Sequence, residues 1–571
     1  MTTRCRAIVI LAGIGLSLGV LRDQPTLTVL TMGYLLWLFA AWCLFQIRVA
    51  TFVNSIQISR TIQGQPLRND SRMWSGRSYL ISVRMVSSQP IAPILIVRDL
   101  ISDRLQIEQG SVEESTFSNV HDILIEYRCR ALAAGNAVFG GIYCCLQDPQ
   151  RLFISHCTLG NRLNVTVLPD HQQQLDARPS IKRLNSLPRQ GIHRLRRAGL
   201  GSELLDLREY QDGDPPKSIA WKVSARRDRL MTRQYESEVP VRVHVILDSC
   251  PSLRLGGFGF RMQDQLDYVG TSVAKAAIAA GDAIGLSIVD VDSVQRTSCA
   301  FGEKTFYRFA QLVAENSSLP AAGPADLRVL IDRCLTIAQL WHPELLERGV
   351  NIRPWRLFPL NLKKASQLRA RRRLANVFGE QFRLSPLEVG ELVYNDAKFA
   401  VLAQRWLHDC GHGWLPPVVS SMGAWMNLTP SSNMRELANE LTLLVSRAQD
   451  NEVFVILCNL LNYAGRGTSE SWSHFLTTIK HARANHHRVV VVCPTPHLRR
   501  FRPTPEANRS PTAEDVRRQT LEMRFDHLAA TASRQVRKQG GTLVFSGDRQ
   551  VASIIMQQAE LAGSGRLTAS R

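Results

Sequence analysis

Residues 199–252 read GLGSELLDLREYQDGDPPKSIAWKVSARRDRLMTRQYESEVPVRVHVILDSCPS, and the rest of the chain can be read outward from them. Asp212-Gly213-Asp214-Pro215-Pro216 is a tight turn by composition, because Gly tolerates positive φ, Asp bonds its own backbone and Pro fixes φ. Leu204, Leu205 and Leu207 alternate with charge before it, and Ile219 and Trp221 follow it. Val241 to Leu247 is then a mostly apolar, β-branched run, interrupted by Arg242 and His244 and ending abruptly at Asp248. That is the pattern of a strand in a parallel sheet, and ligand-binding residues of open α/β sheets gather at such carboxyl ends.

Downstream, helical periodicity over Asp264–Ala280 stops at Gly281, and Ala283–Asp290 reads as the next strand. Helix and strand resume with Met434–Ala448, Val453–Cys458, Trp472–Ala484, Arg488–Val492, Asp515–Lys538, Thr542–Phe545 and Val551–Ala562. This alternation predicts a doubly wound α/β domain over residues 241–571. The less regular stretch at about 319–430, which contains Arg369–Arg373, is too long for a loop and predicts an insertion with helices of its own. Upstream, residues 171–240 read as a linker followed by the turn-rich segment. Residues 49–170 carry short runs at hairpin spacing, among them Val53–Ser59, Tyr79–Val86, Ile123–Cys129 and Gly140–Leu146, and predict an all-β sandwich.

Residues 1–48 hold two apolar segments, Ala7–Leu21 and Leu27–Ile47, separated by Arg22-Asp23-Gln24-Pro25. Together they predict a transmembrane helical hairpin; a signal peptide is the rival reading of the first segment, behind Arg4 and Arg6. Arg48 and Arg60 beyond the second segment then put both ends, and the soluble domains, on the cytoplasmic side of the inner membrane. With 69 Lys and Arg against 49 Asp and Glu, the net charge is +20 over 571 residues. Such a balance suits an anionic membrane surface, an acidic protein or nucleic acid. Nucleic acid is the least supported of these, since neither zinc-finger spacing nor an RNA-binding signature is present. The 12 cysteines are scattered without paired spacing, which favours a reducing compartment over a disulfide framework.

The pattern Gly-x-Gly-x-Glu, Leu-Arg-Glu-Tyr, Gly-Asp, Ile-x-Trp and Ser-Ala-Arg, followed by a strand ending Asp-Ser-Cys-Pro-Ser, resembles the domain of unknown function 58 family. Those are bacterial membrane-anchored proteins with a von Willebrand factor A-like domain. The chain departs from the family's Gly-Asp-Asp-Pro-Arg-Arg-Ile-Asp-Trp at Pro215, Ser218 and Ala220, while Lys217 keeps one positive charge. Asp148-Pro149-Gln150-Arg151-Leu152-Phe153 resembles the family's Asp-Pro-Phe-Gly-Leu-Phe turn. The resemblance implies a non-enzymatic adaptor or scaffold working with a MoxR-type AAA+ ATPase in complex assembly or envelope stress. No phosphate-binding Gly-x-x-x-x-Gly-Lys-Ser/Thr loop occurs in the sequence, so ATP hydrolysis would belong to the partner.

The resemblance also raises the question of a divalent ion above the sheet, held in that fold by an Asp-x-Ser-x-Ser loop. Here the candidate metal residues are Asp248, Cys250 and Ser252, with a soft thiol where hard Mg²⁺ wants oxygen. Asn459 and Asn462 stand where a later carboxylate is expected. The set reads as degenerate, and the expectation is no cofactor, with Mg²⁺ and a metal-dependent binder or enzyme as the alternative. Cys250 could also act as a nucleophile if His244 faced it. His408 and His412 share a helix face only if the helix runs past Gly411. The signature residues Arg208, Glu209, Tyr210, Gly213, Asp214, Trp221, Ala225 and Arg226 read either as a docking surface or as an internal clamp. In the clamp, Arg208 or Arg226 pairs with Glu209 or Asp214 against Trp221.

Overall fold

The computed structural model describes residues 2–87, 94–116, 122–171, 194–238, 241–254, 257–290, 293–319, 327–342, 345–346, 362–412, 433–448, 452–460, 470–495, 513–547 and 551–563. The chain forms two compact units, and each is discontinuous in sequence. One comprises Met1–Val167 with Pro324–Pro416, the other Leu168–Gly323 with Pro417–Arg571.

The chain begins with two helices, α1 (Thr3–Leu21) and α2 (Pro25–Ser55), both long and apolar enough to cross a membrane. Leu11, Leu21, Val29, Leu30, Leu36 and Phe39 are exposed on them, which is costly in water and normal against lipid. α2 runs on through Ser55, so the strand expected from Val53 begins only at Ile56. At the base of the pair, Cys5, Leu38 and Phe45 pack on Leu152 and Phe153. The Leu152 carbonyl accepts the Thr2 N–H at 3.0 Å, so the Asp148–Phe153 turn seats the first helix.

Among the described residues eleven strands follow: β1 (Ile56–Ile62), β2 (Gln65–Pro66), β3 (Arg72–Trp74), β4 (Ser78–Ser87), β5 (Ile94–Ile101), β6 (Leu105–Gly110), β7 (Glu113–Thr116), β8 (Asp122–Ala131), β9 (Gly135–Gln147), β10 (Ile154–Leu159) and β11 (Leu163–Leu168). They make two sheets, ordered β2-β1-β4-β8-β6 and β3-β11-β9-β5-β7, with β10 also on β9. Alternation explains the sandwich: Tyr79, Ile81, Val83 and Met85 of β4 and Ile123, Ile125, Tyr127 and Cys129 of β8 all point into one core.

The second unit opens with β12 (Arg194–Glu209), α3 (Trp221–Arg227) and β13 (Met231–Glu238). β12 and β13 form an antiparallel two-stranded sheet, so the basic stretch Arg194–Arg197, expected in a linker or surface helix, lies in a strand. Next come β14 (Arg242–Asp248), α4 (Met262–Ala279), β15 (Ala283–Val289), β16 (Val294–Ala300) and α5 (Glu303–Ser317).

The chain then returns to the first unit through α6 (Leu327–Trp341), α7 (Leu362–Gln381), α8 (Pro386–Tyr394) and α9 (Asp396–Asp409). This is the stretch expected as an insertion with helices of its own, and the helices pack with the sandwich. Leu330, Ile337, Phe378, Phe399 and Trp406 share a core with Leu100 and Val138 of the sandwich. Trp341 lies on Gly140 so closely that a Cβ there would meet its ring at 2.4 Å. Arg333 pairs with Asp103, and the His412 Nδ1 stands 2.9 Å from the other Asp103 oxygen. Gly411, at φ +73°, turns the chain after α9, so His408 stays exposed on the helix while His412 is buried against Trp341. The two histidines therefore do not share a helix face.

The second unit resumes with α10 (Asn433–Arg447), β17 (Val453–Leu457), α11 (Glu470–Ala484), β18 (Arg488–Cys493), α12 (Ala513–Lys538), β19 (Thr542–Phe545) and α13 (Val551–Gly563). The sheet order is β16-β15-β14-β17-β18-β19, parallel except for β16 on its edge. α4, α5 and α13 cover one face and α10, α11 and α12 the other. Burial on both faces is why β14, β15, β17 and β18 read as continuous apolar runs. The strand order reverses between β14 and β17, which makes the carboxyl ends of those two strands the topological switch point.

Candidate functional site

Asp248 ends β14 at the switch point and is buried. Its Oδ1 accepts the backbone N–H of Cys250 at 3.0 Å and the Asn433 Nδ2 at 2.8 Å, the latter from the first residue of α10. Burial pushes the Asp248 carboxyl up to about 6, against the opposing pull of Asn433, the Cys250 N–H and Arg254, with Asp290 adding to the rise. Beside it the Ser249 hydroxyl donates to Asn316 Oδ1 at 2.6 Å, and the Arg254 Nη2 donates to the Ser249 carbonyl at 3.0 Å and to Asn316 Oδ1 at 3.3 Å. One turn into α4, Asp267 accepts from Gln263 Nε2 at 2.8 Å and from the Ser317 hydroxyl. Burial raises its carboxyl to about 7, although the Ser317 bond pulls the other way.

Among the described residues, this end of the sheet carries a hydrogen-bond net drawn from β14, the following one-turn helix, α4, α5 and α10, in which Asn316 Nδ2, Asn433 Oδ1 and Gln263 Oε1 are buried without a partner. The donors do not fit a hard divalent ion. Protein N–H groups occupy Asp248 Oδ1, the Cys250 thiol is soft and buried, and Arg254 already places a cation among these groups. Among the described residues, no group of three or more His, Cys, Asp or Glu is placed to hold a metal. The side chain of Ser252 lies outside the described residues, as does Asn462; Asn459 is buried at the end of β17. Sequence reading found Asp248 but not Asn316 or Asn433, which lie 67 positions from Ser249 and 185 from Asp248.

The signature segment is built on the β12–β13 pair. Arg208 donates to Asp214 at 2.5 Å, and Asp214 also accepts the Gln211 N–H at 3.1 Å. Those bonds, the Gln211 N–H first, hold its carboxyl below the usual range. Gly213 sits at φ +105°, the conformation that the turn requires. The Ser224 hydroxyl donates to the Ala220 carbonyl at 3.1 Å and accepts the Met231 N–H at 2.8 Å, which ties α3 to β13. The clamp is thus real for Arg208 and Asp214, with the Tyr210 hydroxyl 3.4 Å from the Asp214 carbonyl. It does not extend to the other expected members. Glu209 pairs with Arg229 at the surface, Ala225 and Arg226 are exposed, and Trp221 is 64% exposed. Lys217, Lys222, Arg226 and Arg227 accompany Trp221 on the exposed turn and helix.

His244 faces neither Cys250 nor the carboxyl end. It lies near the amino end of β14, stacked on Phe454 and bonded to Glu452, with Cys299 of β16 beside it. The one sequence signal of this cluster is the pair of polar residues, Arg242 and His244, inside an otherwise apolar strand.

Residues 206–339 match the family described as "Protein of unknown function DUF58". Uncharacterized proteins of Mycobacterium tuberculosis (Rv1480) and Mycobacterium bovis (Mb1516) are 25% identical over 134 residues, or 24% of this chain. The match spans 42% of those relatives' own length. Among solved structures, the part of Escherichia coli alpha-2-macroglobulin from domain MG7 to the C-terminus aligns over 82% of this chain and 66% of that one, at 11% identity. Its TM-score of 0.16 is too low to carry a fold assignment.

Proposed function

We propose, from the premise that residues 206–339 match the DUF58 family, that the chain is a non-enzymatic, membrane-anchored adaptor. In this reading α1 and α2 hold it in the inner membrane, and both soluble units face the cytoplasm. The second unit is a von Willebrand factor A-like domain, a reading supported by its strand order and its single antiparallel edge strand.

The observation that carries the proposal is the exposed Trp221 on α3, a helix and preceding turn that also expose Lys217, Lys222, Arg226 and Arg227 and that the buried Ser224 ties to β13. An exposed indole among cations suits an acidic partner surface with an apolar pocket, since aromatic and Arg anchors supply most of the binding energy of protein interfaces. By family resemblance, that partner is a MoxR-type AAA+ ATPase. The test is crosslinked co-purification from the native membrane, comparing wild type with Trp221→Ala and Arg226→Glu. Recovery of such an ATPase with wild type and its loss with both variants is expected. Equal recovery with all three moves docking away from α3, and recovery with none removes the adaptor reading.

A further inference from the structure

The amino end of the central sheet holds a thiol, an imidazole and a carboxylate in a row. Glu452, just before β17, has its Oε2 2.7 Å from the His244 Nε2. The Cys299 Sγ lies 3.5 Å from both the Nδ1 and the Nε2 of His244, and 3.9 Å from the Val243 carbonyl. Phe454 stacks on the imidazole at a centroid distance of 5.3 Å and an interplanar angle of 23°, fixing the ring's plane. Arg242 Nη1 approaches the other Glu452 oxygen at 3.5 Å, and the Glu452 backbone N–H donates to His487 Nδ1 at 3.2 Å. Every member of the row is therefore oriented by a neighbour.

Two features of the sheet bring Cys299 to His244, although β15 lies between their strands. Gly285 is paired directly with His244 in the register, and it leaves the space that the sulfur and the ring share. A Cβ on Gly285 would stand 2.8 Å from the Cys299 Sγ and 3.3 Å from the His244 Nδ1. The β15–β16 register also shifts here: Ile284 pairs with Ala300 and Leu286 with Thr297, so Ser298 and Cys299 together oppose Gly285. Such a bulge re-aims a side chain on an edge strand.

The rest of the thiols are placed differently. Nine of the 12 cysteines are buried. Burial pushes Cys129, Cys410 and Cys493 up to about 12. Cys299 is half-buried on an edge strand. Burial alone would lower the His244 imidazolium, but its bonds to Cys299 and Glu452 outweigh that and hold it at about 9.

We propose that Cys299 is a reactive thiol, activated by His244 and Glu452, that takes soft electrophiles and is oxidised by hydroperoxides. The thiol proton passes to water, which later restores the proton that His244 gives up, while the Nε2–H of the His244 imidazolium stays on Glu452. The thiolate then attacks one peroxide oxygen; the S–O bond forms as the O–O bond breaks, and the departing hydroxide takes the proton from His244. The sulfur is oxidised by two electrons to the sulfenic acid and the peroxide is reduced to water.

The experiment uses the full chain in detergent at pH 7. Limiting iodoacetamide, and separately hydrogen peroxide with dimedone, are followed at each cysteine by peptide mass spectrometry, with the half-buried Cys157 of the sandwich as reference. Cys299 is expected to react at least about ten-fold faster than Cys157, and His244→Gln to remove that advantage while leaving Cys157 unchanged. Gly285→Ala, which wedges a methyl between sulfur and ring, is expected to lower the Cys299 rate in the same direction. Should His244→Gln speed labelling at every cysteine, the chain has unfolded and the Gly285→Ala rate decides. Equal rates at Cys299 and Cys157 in the wild type, or a Cys299 rate indifferent to both folded variants, overturns the proposal.

Discussion

The two ends of the central sheet hold the same kinds of groups to opposite effect. At the carboxyl end Asp248 Oδ1 accepts from the Cys250 N–H and Asn433, and the neighbouring Ser249 donates to Asn316 and accepts from Arg254, so these groups are held by other protein groups. At the amino end the row of Glu452, His244 and Cys299 finishes in a half-buried sulfur on an edge strand. At the switch point, where open α/β sheets place their ligands, the described side chains bond mainly to one another. The polar row opposite is the one that reaches the surface.

The largest expected separation of the two ends is by pH. The Asp248 and Asp267 carboxyls are raised in the folded state to about 6 and about 7, so the stability they contribute is full below the ordinary carboxyl value. It is lost as pH rises through those values, on the order of 3 kcal/mol per group. His244 is also raised, to about 9; its contribution is full below about 6.5 and is lost as pH rises through 9. Urea unfolding at successive pH values should therefore show two declines, the lower one reduced by Asp267→Asn and the upper one by His244→Gln. A single decline insensitive to both variants would mean that the ends are not energetically distinct.

A substitution at the closed end comes next. Asp248→Ala strands the Asn433 amide and the Cys250 N–H, and about 2–3 kcal/mol should be lost in denaturant midpoint measurements, without dependence on added Mg²⁺. If Mg²⁺ stabilises the wild type but not the variant, an ion belongs to that net after all. At the other end Gly285→Ala should cost about 1–3 kcal/mol by overpacking, since the new methyl meets both Cys299 and His244. A neutral result would show that β16 yields easily there. The smallest effect falls outside both ends: Trp221→Ala, on an exposed ring, should change stability by less than about 0.5 kcal/mol. A larger loss would mean that the indole packs within the unit, leaving it unfit as the docking anchor.

How much of this could be read beforehand depends on the range over which each signal acts. β14, β15, β17 and β18 are apolar runs bounded by charge or turn residues, so periodicity alone found them. The sandwich strands β4 and β8 alternate with period two and were equally legible. β12 was not, because Arg194–Arg197 look like a solvated run until β13 pairs with them. The partner of the 327–409 helices was also hidden. Their amphipathic pattern says that a face must be covered, but only the glycine at 140 beneath Trp341 says by what. At the sites, Asp248 announced itself by ending a strand, whereas Asn433 is an ordinary residue until α10 delivers it. Cys299 reaches His244 through a missing side chain and a shifted register, neither of which periodicity records.

The interleaving of the two units sets a timetable for synthesis. The sandwich receives its covering helices only after α9 has emerged, and β14 waits for its second neighbour until β17 is made. From Asp248 to Val453, translation at about 5–20 residues per second takes roughly 10–40 s. Through that interval one edge of β14 offers unpaired backbone groups to any passing strand. A nascent chain arrested before Val453 should accordingly lean on chaperones in a way that one released after Phe545 does not.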